Sequence, residues 1–174
     1  MEYYDAVSKG YDELYGEEQL NKLLIIRNNI RISKKAMVLD VGCGTGISSG
    51  LGCFVVGIDP SIGLLKQNKN DKKLLSVAEA LPFKDSSFDC VVSITSIHNF
   101  RNIKKSISEM KRVGREKFVF SVLKNSGKFG YIKRLIEGSF KVGNLIQEDK
   151  DAIFFCQNRQ KQSQHKNQNI FSES

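Results

Sequence analysis

Apolar residues along the chain alternate between helix-like spacing and short continuous runs, the pattern of an α/β layer fold. Residues 17–31 carry Leu20, Leu23, Leu24, Arg27 and Ile30 in amphipathic spacing and predict a helix. Residues 36–41 (A-M-V-L-D-V) form a short apolar run that ends in glycines, the mark of a buried parallel strand. Residues 54–58, 73–77, 89–95 and 117–123 predict four further strands, with helical stretches near 61–69 and 102–113. Beyond the fifth strand, residues 128–138 read as a helix closed by Gly138. Two last strands follow at 140–147 and 152–156, joined by the polar turn Glu148-Asp149-Lys150-Asp151. Residues 157–174 are polar, rich in Gln and Asn and without period, and predict a disordered tail.

Length and composition narrow the class. The chain has 174 residues, 40% hydrophobic and 26% charged, which suits one globular domain with a real core. No apolar run approaches the roughly 18 residues of a membrane span, and the opening Met-Glu-Tyr-Tyr-Asp lacks a secretory pattern. The four cysteines (Cys43, Cys53, Cys90, Cys156) form no C-x-x-C pair and no metal-ligand spacing. Scattered thiols of this kind suit a reducing cytosol, so a cytoplasmic protein without disulfides, metal or membrane anchorage is expected.

Charge changes the picture more by its placement than by its total of +8. Residues 100–141 hold twelve lysines and arginines against Glu109, Glu116 and Glu137, while residues 1–18 hold six acids and one base. Two readings stay open. The lysines are solvated faces of amphipathic helices, or they form a basic surface that attracts phosphate.

The chemistry concentrates in Val38-Leu39-Asp40-Val41-Gly42-Cys43-Gly44-Thr45-Gly46, a strand running into a glycine-rich turn. Glycine accepts positive φ there and lets backbone approach a ligand closely. Asp40 is placed to accept from an ammonium group. The next strand, Val55-Val56-Gly57-Ile58-Asp59-Pro60, ends in an acid suited to ribose hydroxyls. Together these elements point to an adenosine-containing ligand. The G-x-G-x-G spacing differs from the G-x-G-x-x-G of dinucleotide enzymes.

With these stretches the chain resembles the class I S-adenosylmethionine-dependent methyltransferases, in particular the ubiquinone- and menaquinone-biosynthesis family (type 11 methyltransferase domain). Further matches are Ala78-Glu79-Ala80-Leu81-Pro82-Phe83 with Ser87-Phe88-Asp89, and Ile97-His98-Asn99-Phe100. Tyr3-Tyr4-Asp5 and Gly10-Tyr11-Asp12 resemble the family's N-terminal helix over the cofactor. The resemblance covers residues 1–156, with 1–35 as a helical lid. It implies a single Rossmann-like, doubly wound domain whose seven-stranded, mostly parallel sheet has the order 3-2-1-4-5-7-6, strand seven antiparallel. It also implies S-adenosylmethionine as cofactor and S-adenosylhomocysteine as product. Gly42, Cys43, Gly44 and Gly46 would contact the methionine half, with Asp40 near its amino group. Asp59 and Pro60 would lie at the ribose, Ala78, Glu79 and Ala80 at the adenine, and Thr95 in the wall beyond the fourth strand. Tyr11 covers the cofactor or belongs to the core.

The sequence departs from the family in three places. Only 12 residues separate Gly46 from Asp59, so the first crossover helix (47–52) must be very short. Val77 stands where the family often has an aspartate toward the adenine amino group. Val113-Gly114-Arg115-Glu116 replaces the usual Pro-Gly-Gly turn before the fifth strand.

Methyl transfer from a sulfonium is in-line displacement of an activated leaving group, so positioning can supply much of the catalysis. A base is needed only for an acceptor that must lose a proton. His98 is the candidate, its other reading being a histidine that shapes the pocket or caps a turn. Cys43 reads as a small filler inside the turn. Three acceptor hypotheses remain. The first is RNA or another macromolecule met through the basic segment 100–141, with or without a small partner subunit. The second is a quinone-like small molecule, and the third a non-catalytic binding subunit that keeps the fold.

Overall fold

The structure is a computed structural model that describes residues 11–159, with side chains from Gly16 onward. Expectations resting on residues 1–10, on the Tyr11 side chain and on residues 160–174 lie outside the described residues. Helix α1 (Tyr11–Asn29) opens the described chain, followed by β1 (Met37–Val41), a 3-10 helix (Ile47–Leu51) and β2 (Phe54–Asp59). Next come α2 (Ile62–Gln67), β3 (Lys73–Leu75), β4 (Phe88–Ile94) and a 3-10 turn (Ile97–Asn99). The chain continues through α3 (Ile103–Val113), β5 (Gly114–Leu123), α4 (Phe129–Ser139), β6 (Phe140–Gln147) and β7 (Asp151–Asn158). The seven strands form one sheet in the order β3-β2-β1-β4-β5-β7-β6, parallel except where β7 runs antiparallel to both neighbours.

Each face of the sheet carries its own core. One holds Leu39, Val91, Phe118, Phe120 and Phe154 against α3 and α4, through Ile107, Met110, Ile132 and Ile136. The other holds Val38, Val55, Val92, Val119 and Ile153 against Ile26 of α1 and against Ile47 and Leu51 of the first 3-10 helix. Strands buried on both faces are apolar at successive positions, which is why β1, β4 and β5 read as continuous runs.

Four boundaries move relative to the sequence expectation, each for a physical reason. Helix α1 lies earlier than 17–31, and its buried side is Lys22, Leu23 and Ile26, with Leu20 and Leu24 about half exposed. The third strand stops at Leu75 rather than Val77 because it pairs with β2 only over Gly57–Asp59. No turn separates α3 from β5: the helix passes directly into the strand at Gly114, where a Cβ would strike the Phe118 ring and Val91. The seventh strand takes in Gln157 and Asn158, which the sequence placed in the tail. Their backbones pair with Lys117, Lys141 and Phe140 whatever their side chains prefer. The first crossover is as short as expected. Its single turn of 3-10 helix tolerates close approach because Gly50 leaves room for Leu23 of α1.

Candidate cofactor and methyl-transfer site

Parallel strands β1, β2, β4 and β5 end on the same edge of the sheet, and the loops leaving them build the site. The turn after β1 is fixed from below. The Gly42 and Cys43 amides both donate to the Ile58 carbonyl (2.8 and 2.9 Å). The Gly44 amide donates to Asp59 Oδ2 (2.9 Å), while the Ser61 amide donates to Oδ1 (2.8 Å). Gly42 has φ +80, and a Cβ there would lie 2.5 Å from Ser96 Cβ, so glycine is required by both conformation and space. Ser96 is itself held by donating to the Val41 carbonyl (2.9 Å) and by a hydroxyl contact with Ser93 (2.8 Å).

Beside this turn lies a cleft of about 170 Å³. It is lined by Gly42, Gly44, Asp59 and Pro60 on one side and by Val77, Ala78 and Glu79 on another. Thr95, Ser96, Phe100 and Arg101 close it from the β4 end. A wider open groove of about 870 Å³ shares Gly42 and Gly44 with the cleft. It adds Cys43, Gly46 and the Leu20 and Leu23 side of α1.

Asp40 is buried, and its Oδ1 atom lacks a hydrogen-bond partner among the described residues. Burial pushes its carboxyl up to about 7 against the lowering effect of a Ser48 hydrogen bond, and the neighbouring Asp59 charge raises it further. A buried, half-satisfied carboxylate of this kind is an acceptor suited to a cation.

The site differs in detail from the one the sequence outlined. The three amides of Gly42, Cys43 and Gly44 are already engaged, so the turn offers a ligand its carbonyls and its missing side chains rather than its N–H groups. The Cys43 side chain is buried, accepts from Asn68 Nδ2 (3.5 Å) and fills space beneath Gly57, with burial pushing its thiol well up. Glu79 turns its carboxylate toward α3 and accepts from the Asn102 amide (2.9 Å), leaving backbone toward the cleft. Ala80 is exposed and absent from the cleft wall.

His98 also stands outside the wall. Its Nδ1 is buried without a partner among the described residues, and Lys128 Nζ donates to its carbonyl (2.9 Å). Burial lowers the imidazole below its ordinary value, only partly opposed by Asp151, so the ring is neutral at pH 7.

Two supports escaped the sequence reading. Arg112 donates to the Phe83 and Leu81 carbonyls (2.8 and 3.0 Å), to Asp85 (2.8 Å) and to Glu109 (2.7 and 2.8 Å). Glu109 in turn accepts from the Leu81 amide (3.0 Å). This clamp holds the strip that carries Val77–Glu79 along the cleft. The second is Lys22, a fully buried lysine on α1. A polar run after a strand and a basic helix end hint at the clamp; no local signal marks Lys22.

A family model described as a methyltransferase domain matches residues 39–122, which span β1 through most of β5. Residues 39–122 thus form a methyltransferase domain, and the chain is similar to the class I S-adenosylmethionine-dependent methyltransferases. An uncharacterised protein of Methanocaldococcus jannaschii is 35% identical over 160 residues, covering 87% of this chain and 63% of its own length. A demethylmenaquinone methyltransferase of Renibacterium salmoninarum is 42% identical over 84 residues, 44% of this chain and 35% of its own. An 18S rRNA (guanine-N(7))-methyltransferase of Bos taurus is 37% identical over 90 residues, 46% of this chain and 32% of its own. The chain thus spans between about a third and under two thirds of these relatives. A Haloferax volcanii methyltransferase solved with the Trm112 activator shares the fold, at TM-score 0.74 and 15% identity, covering 89% of this chain and 96% of that one. No helix among the described residues is long and apolar enough to cross a membrane.

Proposed function

We propose that this chain transfers the methyl group of S-adenosylmethionine to RNA, presented across the carboxyl edge of the sheet. The observation that carries the reading is how the basic segment divides between the two ends of the domain. Arg112 and Arg115, at the edge where α3 passes into β5, pair with Asp85, Glu109 and Asp89. Arg101, Lys104, Lys105, Lys124 and Lys128 flank the opposite edge, where the cleft opens, and all five are exposed. None of the five forms a salt bridge among the described residues; Lys124 and Lys128 reach only carbonyls. Exposed cations around the mouth attract phosphate at long range and hold it by displacing counterions. The passage from β5 to α4 is short, so among the described residues no long insertion there covers the mouth, which suits a substrate that brings its own surface.

Bound S-adenosylmethionine supplies a methyl group already activated on a sulfonium. Asp40 would balance its ammonium group, which satisfies the orphaned Oδ1, and Asp59, in the cleft wall at the end of β2, would face the ribose hydroxyls. Backbone at Val77–Glu79 would flank the adenine, and Thr95 would wall the reacting end. Where the acceptor atom carries a proton, neutral His98 is the group available to take it, once the acceptor or a small shift brings Nδ1 to the mouth. A small partner subunit, as in the Haloferax complex, fits the same reading by covering exposed Leu74 and Leu75 or enlarging the platform.

The test is labelled S-adenosylmethionine with a cell extract separated into RNA, protein and small-molecule fractions. Label is expected in RNA, and the K104E/K105E/K124E variant is expected to lose most of it while still binding S-adenosylhomocysteine. Labelling should fall steeply between about 50 and about 200 mM salt, roughly tenfold or more for several phosphate contacts. Label confined to small molecules, indifferent to the charge reversal, would replace RNA with a quinone-like acceptor, the reading favoured by the demethylmenaquinone relative. Cofactor binding without label in any fraction would favour a non-catalytic subunit.

A further inference from the structure

Lys22 is a lysine with no exposed surface, in a helix whose Glu17 and Arg27 face water. The Lys22 ammonium meets groups at three places in the fold, two through hydrogen bonds and one through an ion pair to a carboxylate whose oxygens have no hydrogen-bond partner among the described residues. One hydrogen bond goes to Glu18 Oε1 (2.6 Å), a turn earlier on α1. The other goes to Thr95 Oγ1 (3.0 Å), at the end of β4. The ion pair is with Asp151 Oδ2 at the start of β7, a carboxylate that is itself fully buried. Burying two charges costs more than their attraction returns unless geometry is good, so the pair is weak evidence for stability and better evidence for a specific arrangement.

The arrangement it specifies concerns Thr95. This residue sits at φ +52, uncommon for any non-glycine and a true outlier for a β-branched one. Strain of that kind persists only where neighbours over-determine it, and it gathers at functional sites. Three contacts hold it: its amide donates to the Ser121 carbonyl (3.1 Å), its hydroxyl meets Ser121 Oγ (3.2 Å), and Lys22 donates to that same hydroxyl. Thr95 is also part of the cleft wall. One ammonium therefore joins α1, β7 and a strained residue of the cleft wall.

We propose that Lys22 is a positioning residue for methyl transfer, holding Thr95 in its strained conformation and coupling ligand in the cleft to helix α1. This rests on the cleft taking the cofactor. Ligand that presses on Thr95 tightens the Lys22 contact, and α1 is held more firmly against the sheet. Without Lys22, Thr95 relaxes and α1 no longer senses occupancy.

The test uses S-adenosylhomocysteine as probe, with hydrogen exchange followed along the chain and affinity measured by titration calorimetry. Lys22→Met alone leaves Asp151 as an unpaired buried charge and is expected to be poorly folded. The informative variant is Lys22→Met with Asp151→Leu, which removes both charges and keeps an apolar filling. In the wild type, ligand should slow exchange both in residues 77–81 and in residues 18–26. In the double variant the slowing at 77–81 should persist, that at 18–26 should vanish, and affinity should fall by about three- to tenfold, the size of one ordinary hydrogen bond. A double variant that folds and still transmits occupancy to 18–26 overturns the proposal, as does a wild type in which ligand binds and 18–26 does not respond. No binding of the probe to the wild type would instead strike at the cofactor reading on which the proposal stands.

Discussion

The two walls of the cleft are held by opposite kinds of electrostatics. On one side, the strip from Val77 to Phe83 is tied by Arg112, whose side chain is 31% exposed and whose partners include two backbone carbonyls and the 76% exposed Asp85. On the other side, Thr95 is tied by Lys22, whose side chain and that of its partner Asp151 are both fully buried. Water screens the first set, so each of its contacts is worth little alone and can be lost piecemeal. The second is desolvated, so removing one partner strands the other. A wall that must only outline a flat ring can rest on a redundant clamp. A wall that holds a strained residue needs an arrangement that is either whole or broken.

Asp40, buried on β1 just before the Gly42 turn, carries the largest effect that separates ligand recognition from wall support. Its carboxyl is raised by burial to about 7 from 3.8, so in the free protein ionisation opposes folding as pH rises from about 4 towards 7, and the cost levels off above 7. A ligand bearing an ammonium group selects the ionised form. Affinity for S-adenosylhomocysteine should therefore climb by about tenfold per pH unit between about pH 5 and 7 and flatten above, since one unit is about 1.4 kcal/mol. Asp40→Asn should abolish the slope and weaken binding at about pH 8 by roughly a hundredfold, the order expected for a lost buried charge pair. A wild-type affinity that does not change with pH would remove the ammonium from Asp40.

Arg112 comes next. Arg112→Ala frees the strip that lines the adenine side, and S-adenosylhomocysteine affinity should drop by about three- to tenfold, with Arg112→Lys between the two because it cannot fork to both carbonyls. Exchange in residues 18–26 should still respond to ligand, because that response belongs to the other wall. The clamp also weakens in acid. Hydrogen bonding from Arg112 holds Glu109 below its usual 4.5, against desolvation, so its contribution is present above that pH and is lost as pH falls through the lowered value. An α1 response abolished by Arg112→Ala would merge the two walls into one unit.

The same contrast explains what could be read from the residues alone. Strands β1, β2 and β4 announce themselves because burial on both faces makes them largely apolar, and the turn at Gly42 and the acid at Asp59 because their chemistry is local. The strand order came from family resemblance. Lys22 could not be read: a lysine in a helix ordinarily marks the wet side, and what buries this one is Asp151, remote in sequence. The same misreading placed α1's apolar face on Leu20 and Leu24. Arg112 was visible only as one of twelve bases, a count that treats a clamp on Leu81 and Phe83 and an exposed side chain such as Lys104 alike. Gln157 and Asn158 look like tail because side-chain polarity hides a backbone that still completes the ladder.

Val77 offers the smallest and sharpest test of the adenine wall. It is 40% exposed and lines the cleft next to Ala78, where the family resemblance would place an aspartate. An apolar side chain there leaves an exocyclic amino group to water or backbone. Val77→Asp adds a charged acceptor, worth about 1.5 kcal/mol or more for a hydrogen bond to a charged group. Asp59 lines the same cleft, and the repulsion between two carboxylates offsets part of that gain. The net expectation is about a threefold tightening of S-adenosylhomocysteine by calorimetry, with no gain for an analogue whose adenine lacks the amino group. Equal gains for both ligands would mean that the introduced carboxylate acts on overall charge and that the ring lies elsewhere. Weaker binding of both would put that carboxylate against the ribose, shifting the adenine beyond the strip that Arg112 holds.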